Sequence, residues 1–208
     1  MAEPSEEERR KTRKRRLAAE AAFLLLLLRA FRKTRSSSAF FAALVPALLP
    51  IQKLARARLL AELQLAGQVP KPTLRRLQQT LPLGTDALLR LRRIVSRFFA
   101  YAQSRKRNAS TPSLREQAEL AAESRLRIIA ANEAARAFEQ ERRATAVATA
   151  KATKAVATKR WDATLDGGTC DECSKLHGTE IPMDDEFPQG DPPLHPNCRC
   201  SIEYRFDS

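Results

Sequence analysis

Three features of this 208-residue chain predict a mainly α fold, in which an extended basic helical arm leads into a small α+β module at the C-terminus. Apolar residues recur at helical spacing through most of the first 160 residues, which are dominated by Ala, Leu and Arg. Six Gly and 6% aromatics are too few for a β-sandwich built on many tight turns. All four Cys, both His, the single Trp and four of the six Gly fall in the last 48 residues, so a second kind of structure begins near Arg160 and Trp161.

Charge divides at the same place. Residues 1–160 hold 34 Lys+Arg against 13 Asp+Glu, a net +21, whereas residues 161–208 hold 3 against 11, a net −8. The whole-chain value of +13 is therefore the difference between a basic arm and an acidic foot. With 43% apolar residues the chain can bury a core, which excludes a uniformly disordered polyelectrolyte. The longest uninterrupted apolar run, Ala39 to Ile51, is 13 residues and contains Pro46 and Pro50, short of the roughly 20 that cross a bilayer. No membrane span is expected. A secretory signal is disfavoured because Glu20 interrupts the apolar stretch and Arg29, Arg32, Lys33 and Arg35 stand where a small-residue cleavage site belongs.

In chain order, Glu6 to Arg35 begins acidic and turns basic, as the helix dipole favours. The part through Arg16 lacks apolar residues to bury and is expected to fray. Ser36, Ser37 and Ser38 make a break and an N-cap, after which Pro46 and Pro50 predict only short helical pieces before a helix over Ile51 to Ala66, ended by Gly67. Pro70, Pro72 and Pro82 cut out a short basic helix. Thr85 to Arg107 is amphipathic, with Leu88, Leu91, Ile94 or Val95, Phe98 and Tyr101 or Ala102 on one side and Arg90, Arg92, Arg93 and Arg97 around the rest. Asn108 to Ser113 is a polar hinge. Ser113 and Glu116 form a capping box opening the longest helix, which is predicted to run to Thr158. Its last part, Ala144 to Thr158, contains only Ala, Thr, Val and Lys and needs a neighbour to pack on. The organisation is thus a basic helical region at 1–110, a connecting helix at 111–160 and a Cys/His module at 161–208, with short hairpins near Thr169 to Ile181 and Arg199 to Tyr204.

The module carries the chemistry. Cys170 and Cys173 are a C-x2-C pair, and after 24 residues Cys198 and Cys200 form a C-x-C pair, with His195 three positions before Cys198. Two paired thiolates closed into one loop supply the tetrahedral sulfur or sulfur–nitrogen cage that Zn2+ prefers, and binding there contributes folding free energy to a module with little core. Cys170, Cys173 and Cys198 enter every sensible set; the fourth ligand is either Cys200 or His195, with His177 the weaker candidate. Four protein ligands make a zinc-stapled, structural site with no open position. Two disulfides are the alternative that an even cysteine count permits.

The segment from about 159 to 202 resembles the C-terminal domain of phage minor head proteins of the Mu F-like head-morphogenesis family. The likeness rests on Arg160-Trp161, Thr164-Leu165-Asp166, Cys170-x2-Cys173, Leu176-x-Gly178 and Pro193-x-His195-Pro196-Asn197-Cys198-Arg199-Cys200. An Arg-Thr-Glu triplet usual in the family is Ala131-Asn132-Glu133 here, keeping only the acid. The resemblance implies a non-catalytic virion protein of the prohead interior or portal vertex, assembled in the host cytoplasm. Such a protein acts in head morphogenesis and in DNA packaging or ejection, as an oligomer or in few copies around the portal. Its partners would be the portal protein and other head proteins, with non-specific viral DNA or acidic capsid surface facing the arm. An excess of 21 positive charges attracts polyanions without base readout. The competing function is a zinc-containing nuclease or toxin-like enzyme using His177 or His195 with Asp166 or Glu172; no H-E-x-x-H or Gly-rich phosphate loop supports it. A cellular nucleic-acid-binding zinc protein would fit the arm but not the acidic sign of the module.

Overall fold

A computed structural model describes residues 6–33, 36–67, 69–80, 86–195 and 198–207. Pro82, Thr85, Pro196 and Asn197, used above as boundaries or motif residues, lie outside the described residues. Five helices come first: α1 (Glu6–Lys33), α2 (Ser37–Leu65), α3 (Lys71–Thr80), α4 (Asp86–Arg107) and α5 (Pro112–Thr153). The C-terminal part is β1 (Val156–Asp162), α6 (Asp171–Leu176), β2 (Glu180–Pro182) and β3 (Ser201–Asp207).

Several boundaries differ from those the sequence predicts, each for a physical reason. α1 is helical from Glu6, because extending a helix already anchored by Phe23 and Leu27 costs far less than nucleating one. Ser36 caps α2, its Oγ accepting from Ala39 N at 3.1 Å. α2 then runs unbroken through Pro46 and Pro50. Both prolines are exposed and four residues apart on one side, and so is Ala42, so the carbonyls that lose a donor meet water and not the core. The single helix that results is long and apolar enough, by length and composition alone, to cross a membrane over Ser38–Leu65. Here its inward residues, Phe40, Leu48, Ile51 and Leu59 among them, are buried against the other helices, and its Arg56 pairs with Glu141 inside the protein.

α5 is capped by Thr111 and not by Ser113: Thr111 Oγ1 accepts from Leu114 N at 3.2 Å, and Pro112 fits the first turn, where its missing N–H is no loss. The helix stops at Thr153, with Lys154 in the left-handed region at φ 56°, so Val156 to Thr158 are strand and not helix. The two predicted hairpins are likewise replaced. Thr169 to Ile181 contains α6 and β2, and β3 pairs with β1, not with a neighbour in sequence. The sheet is antiparallel in the order β2-β1-β3, with Trp161 opposite Ile202 and Lys159 between Ile181 and Tyr204. The change in composition at Arg160 and Trp161 falls in the middle of β1.

Two cores result. In the first, α1, α2, α4 and α5 close around Phe31, Phe40, Phe98 and Phe99, whose ring centroids lie 5.1 to 6.5 Å apart. Small residues on α5, including Ala130, Ala134 and Ala137, let the partner helices approach. In the second, Leu59 and Leu63 of α2, Leu74 and Leu77 of α3, and Ala146 and Ala150 of α5 join Trp161, Phe187, Ile202, Tyr204 and Phe206. The alanine-rich end of α5 thus finds its neighbour in the sheet.

Between the cores lies a layer of buried charge that the sequence did not announce. Arg56 donates to Glu141 at 2.6 Å. Arg142, 1% exposed, bonds Glu62 at 2.9 Å and donates to the Ile202 carbonyl at 2.7 Å, tying α2 and α5 to β3. Burial opposes the charge of Arg142, yet Glu62 and Glu139 outweigh it and raise its pKa. Burial likewise opposes ionisation of Glu62, and Arg142 and Arg58 overcome it, leaving the carboxyl below its ordinary range.

Candidate metal centre

The sheet and α6 carry the cysteine cluster, and the shared motif residues build the carrier. Trp161 is 0% exposed and packs edge-on against Phe187 at 5.2 Å. Gly178, at φ +80°, donates its N–H to the Trp161 carbonyl at 2.9 Å, a conformation that disfavours any side chain there. Leu176 is buried beside them. Lys159 takes an inward position on β1 with 0% exposure, its Nζ donating to Asp191 at 2.7 Å and lying 5.3 Å from the Phe187 ring centroid. Such a buried lysine was invisible in the sequence, where it reads as one more basic residue of the arm. Glu133, the retained acid of the altered triplet, is buried and accepts from Arg90 of α4 at 3.0 Å.

Cys170 is the N-cap of α6, its Sγ accepting from Cys173 N at 3.4 Å, so one helical turn turns both C-x2-C sulfurs to the same side. The return loop brings in the rest. Thr164 Oγ1 donates to the Arg199 carbonyl at 3.1 Å, and the Arg199 guanidinium pairs with Asp166. Asp166 also accepts from Gly168 N at 3.1 Å, and a Cβ at Gly168 would collide with the Arg199 side chain.

The five sequence-predicted donors come together. His195 Nε2 lies 3.2 Å from Cys170 Sγ and 3.3 Å from Cys173 Sγ, and Cys173 Sγ lies 3.8 Å from Cys198 Sγ. Cys170, Cys173 and His195 form one triad and Cys173, Cys198 and Cys200 another, with the ligand atoms of each within 4.8 Å of one another. Cys173 belongs to both. None of the four cysteines is joined to another by a disulfide in this structure. A metal bound about 2.3 Å from each thiolate at a tetrahedral angle sets two sulfurs about 3.8 Å apart. The donor set therefore fits a thiophilic ion without rearrangement of the Cys173–Cys198 edge, and the cluster could hold a metal.

The protonation pattern follows from the packing. The Cys200 thiol donates to Cys198 and pushes it down to about 5, while Cys200 itself is pushed up for the same reason. Burial pushes Cys173 up to about 12. The Cys173 backbone N–H holds Cys170 below its ordinary value. Arg136 of α5 interacts electrostatically with Cys198, and Arg199 lines a small cavity together with Cys170, Cys173, His195 and Cys200, so cations face the cluster.

His177 stands apart. Its Nδ1 accepts from Ala163 N at 3.1 Å and lies 3.9 Å from Asp162, and among the described residues it belongs to neither triad. Asp166 is held by Arg199, and Glu172 is an exposed residue in the first turn of α6. The groups on which a nuclease would draw are thus His177, used as a backbone acceptor, His195, which lies in the cysteine cluster, a paired aspartate and a surface glutamate.

Comparison with known proteins places this geometry. The family described as Phage Mu protein F like protein matches residues 100–203, a stretch that covers α5, β1, β2, the start of β3 and every cysteine. No curated protein and no solved structure matches the chain. The family is one of structural phage head proteins, which makes this a phage head-associated protein with a place in the virion. With a matching region that spans half its length and contains the whole cysteine cluster, the chain belongs to the phage Mu protein F-like family.

Proposed function

We propose that the protein is a non-catalytic minor head protein at the portal vertex, acting in head morphogenesis and in DNA packaging or ejection. The observation that carries the proposal is the pair of Cys/His triads, joined at Cys173, inside the family-matched region. Four protein ligands leave no position for a substrate or an activated water, so the ion is a structural staple. Zinc is the proposed ion. Cys170, Cys173, Cys198 and His195 are the proposed ligands, and Cys200 is the buried thiol that keeps its proton and donates to Cys198. The short sulfur–nitrogen distances around His195 support that choice.

The acidic foot docks on a protein partner, the portal above all. Asp171, Glu172, Asp184, Asp185 and Glu186 are exposed on it. The basic arm faces the packaged DNA. Copies gather around the portal in small number, and assembly takes place in the host cytoplasm. Co-expression of the full chain with portal and other head proteins, followed by affinity purification and metal analysis, tests the proposal. Stoichiometric zinc and co-purification with portal are expected. Absence of both, together with metal-dependent degradation of nucleic acid, would replace it with the enzyme.

A further inference from the structure

One face of α4 carries a row of arginines built around a tyrosine. Arg93, Arg97, Tyr101 and Arg105 recur every four residues, which sets them along one side of the helix over about 18 Å. The three arginines are exposed and Tyr101 is half-buried. From α5, Arg125 lays its guanidinium 4.3 Å from the Tyr101 ring centroid, while Arg105 Nε donates to the Tyr101 hydroxyl at 3.3 Å. Two like charges therefore converge on one phenol.

Three nearby basic residues are neutralised, Arg90 by Glu133 at 3.0 Å, Lys106 by Glu119 at 2.9 Å and Arg32 by Glu123 at 2.8 Å. Among the described residues, no carboxylate pairs with Arg93, Arg97, Arg105 or Arg125. Guanidiniums held together without an acid repel one another until an anion arrives, and stacking on an aromatic ring fixes the plane of the fork before it does. The Tyr101 hydroxyl is drawn below the ordinary phenol range, first by the hydrogen bond from Arg105 and also by Arg125.

We propose that Arg105 and Arg125, braced by Tyr101 and extended by Arg97 and Arg93, bind successive phosphodiester groups of duplex DNA. The site rests on the DNA-facing arm proposed above and says where on the arm contact is made. A duplex suits it better than an acidic protein surface. Between Arg93 and Arg105 the exposed residues among the arginines are Ser96, Ala100, Gln103 and Ser104, so this stretch of α4 holds no large apolar anchor of the kind found at protein interface centres; the exposed Leu89 stands one turn before Arg93 and the exposed Ile128 one turn after Arg125. A duplex, with about one charge per 1.7 Å, needs none.

The test is binding of the full chain to two labelled duplexes of unrelated sequence across a salt series. Wild type is expected to bind both alike, with affinity falling steeply in salt. Arg105→Gln with Arg125→Gln is expected to weaken binding about tenfold and to make the salt slope shallower by about 1.8, the contribution of two phosphates. Tyr101→Leu leaves the charge unchanged and is expected to weaken binding about threefold, because the guanidiniums lose their brace. Lys14→Gln with Arg15→Gln removes the same charge from exposed positions on α1 and is the control. Equal losses in control and test variants, each with wild-type circular dichroism, would overturn the site and leave the DNA-facing arm standing. Failure of wild type to bind either duplex would overturn both. Binding of polyglutamate but not DNA, abolished by the arginine pair, would overturn the DNA assignment in favour of an acidic protein.

Discussion

Replacing Arg142 by Met should separate the two halves of the molecule more effectively than any surface change. The guanidinium is enclosed, bonds Glu62 at 2.9 Å and the Ile202 carbonyl at 2.7 Å, and lies 3.8 Å from Glu139. Met fills much of the same volume, so the loss is mainly electrostatic. Removing one member of a buried ion pair costs about 3–5 kcal/mol. Loss of the bond to Ile202 adds a further penalty, while Glu62, whose side chain is 28% exposed, recovers part of its hydration. The expected destabilisation is about 4 kcal/mol. At an m-value of about 2 kcal/mol/M, the urea midpoint falls by about 2 M. Trp161 is the single tryptophan and sits in the second core, so its fluorescence reports the C-terminal part while far-UV circular dichroism reports the helices. The fluorescence transition should move at least as far as the helical one. Arg142→Lys keeps the charge but loses the fork, and should fall between the two. A shift below about 1 kcal/mol for Arg142→Met, with both probes unmoved, would refute the view that this residue clamps β3 to α2 and α5.

Pro46→Ala should stabilise the protein by about 1–3 kcal/mol, since an exposed helix interior regains a backbone donor; a lower thermal midpoint would contradict the unbroken α2. Cys173→Ser should abolish zinc binding and lower stability, whereas Cys200→Ser should retain stoichiometric zinc; metal analysis of the purified variants decides whether His195 is the fourth ligand. Because Cys173 is pushed up to about 12, metal uptake must release protons, so apparent zinc affinity in competition with a chelator should rise with pH. Glu62 lies below its ordinary value of 4.5, so its contribution to stability is present above that pH and lost as pH falls through the lowered value. Glu62→Gln should therefore flatten the acid limb of the stability profile measured by urea titration.

The sequence by itself determined the helical character of the arm, a cap within Ser36 to Ser38, the extent of α4, the cysteine cluster and the family. Each is encoded locally, in apolar spacing, in a side chain that bonds its own backbone, or in a motif whose members are near neighbours. Tertiary structure decided what depends on surroundings. Whether Pro46 and Pro50 break α2 depends on which way they face, and they face water. Whether Val156 to Thr158 continue a helix depends on β3, more than 40 residues later, being present to pair with them. Arg142 and Lys159 look like solvated bases in the chain and are among the most enclosed charges of the described residues, where Glu62 and Asp191 reach them from distant segments. The same holds for Arg105 and Arg125: composition shows only a basic arm, and among the described residues no carboxylate reaches these two.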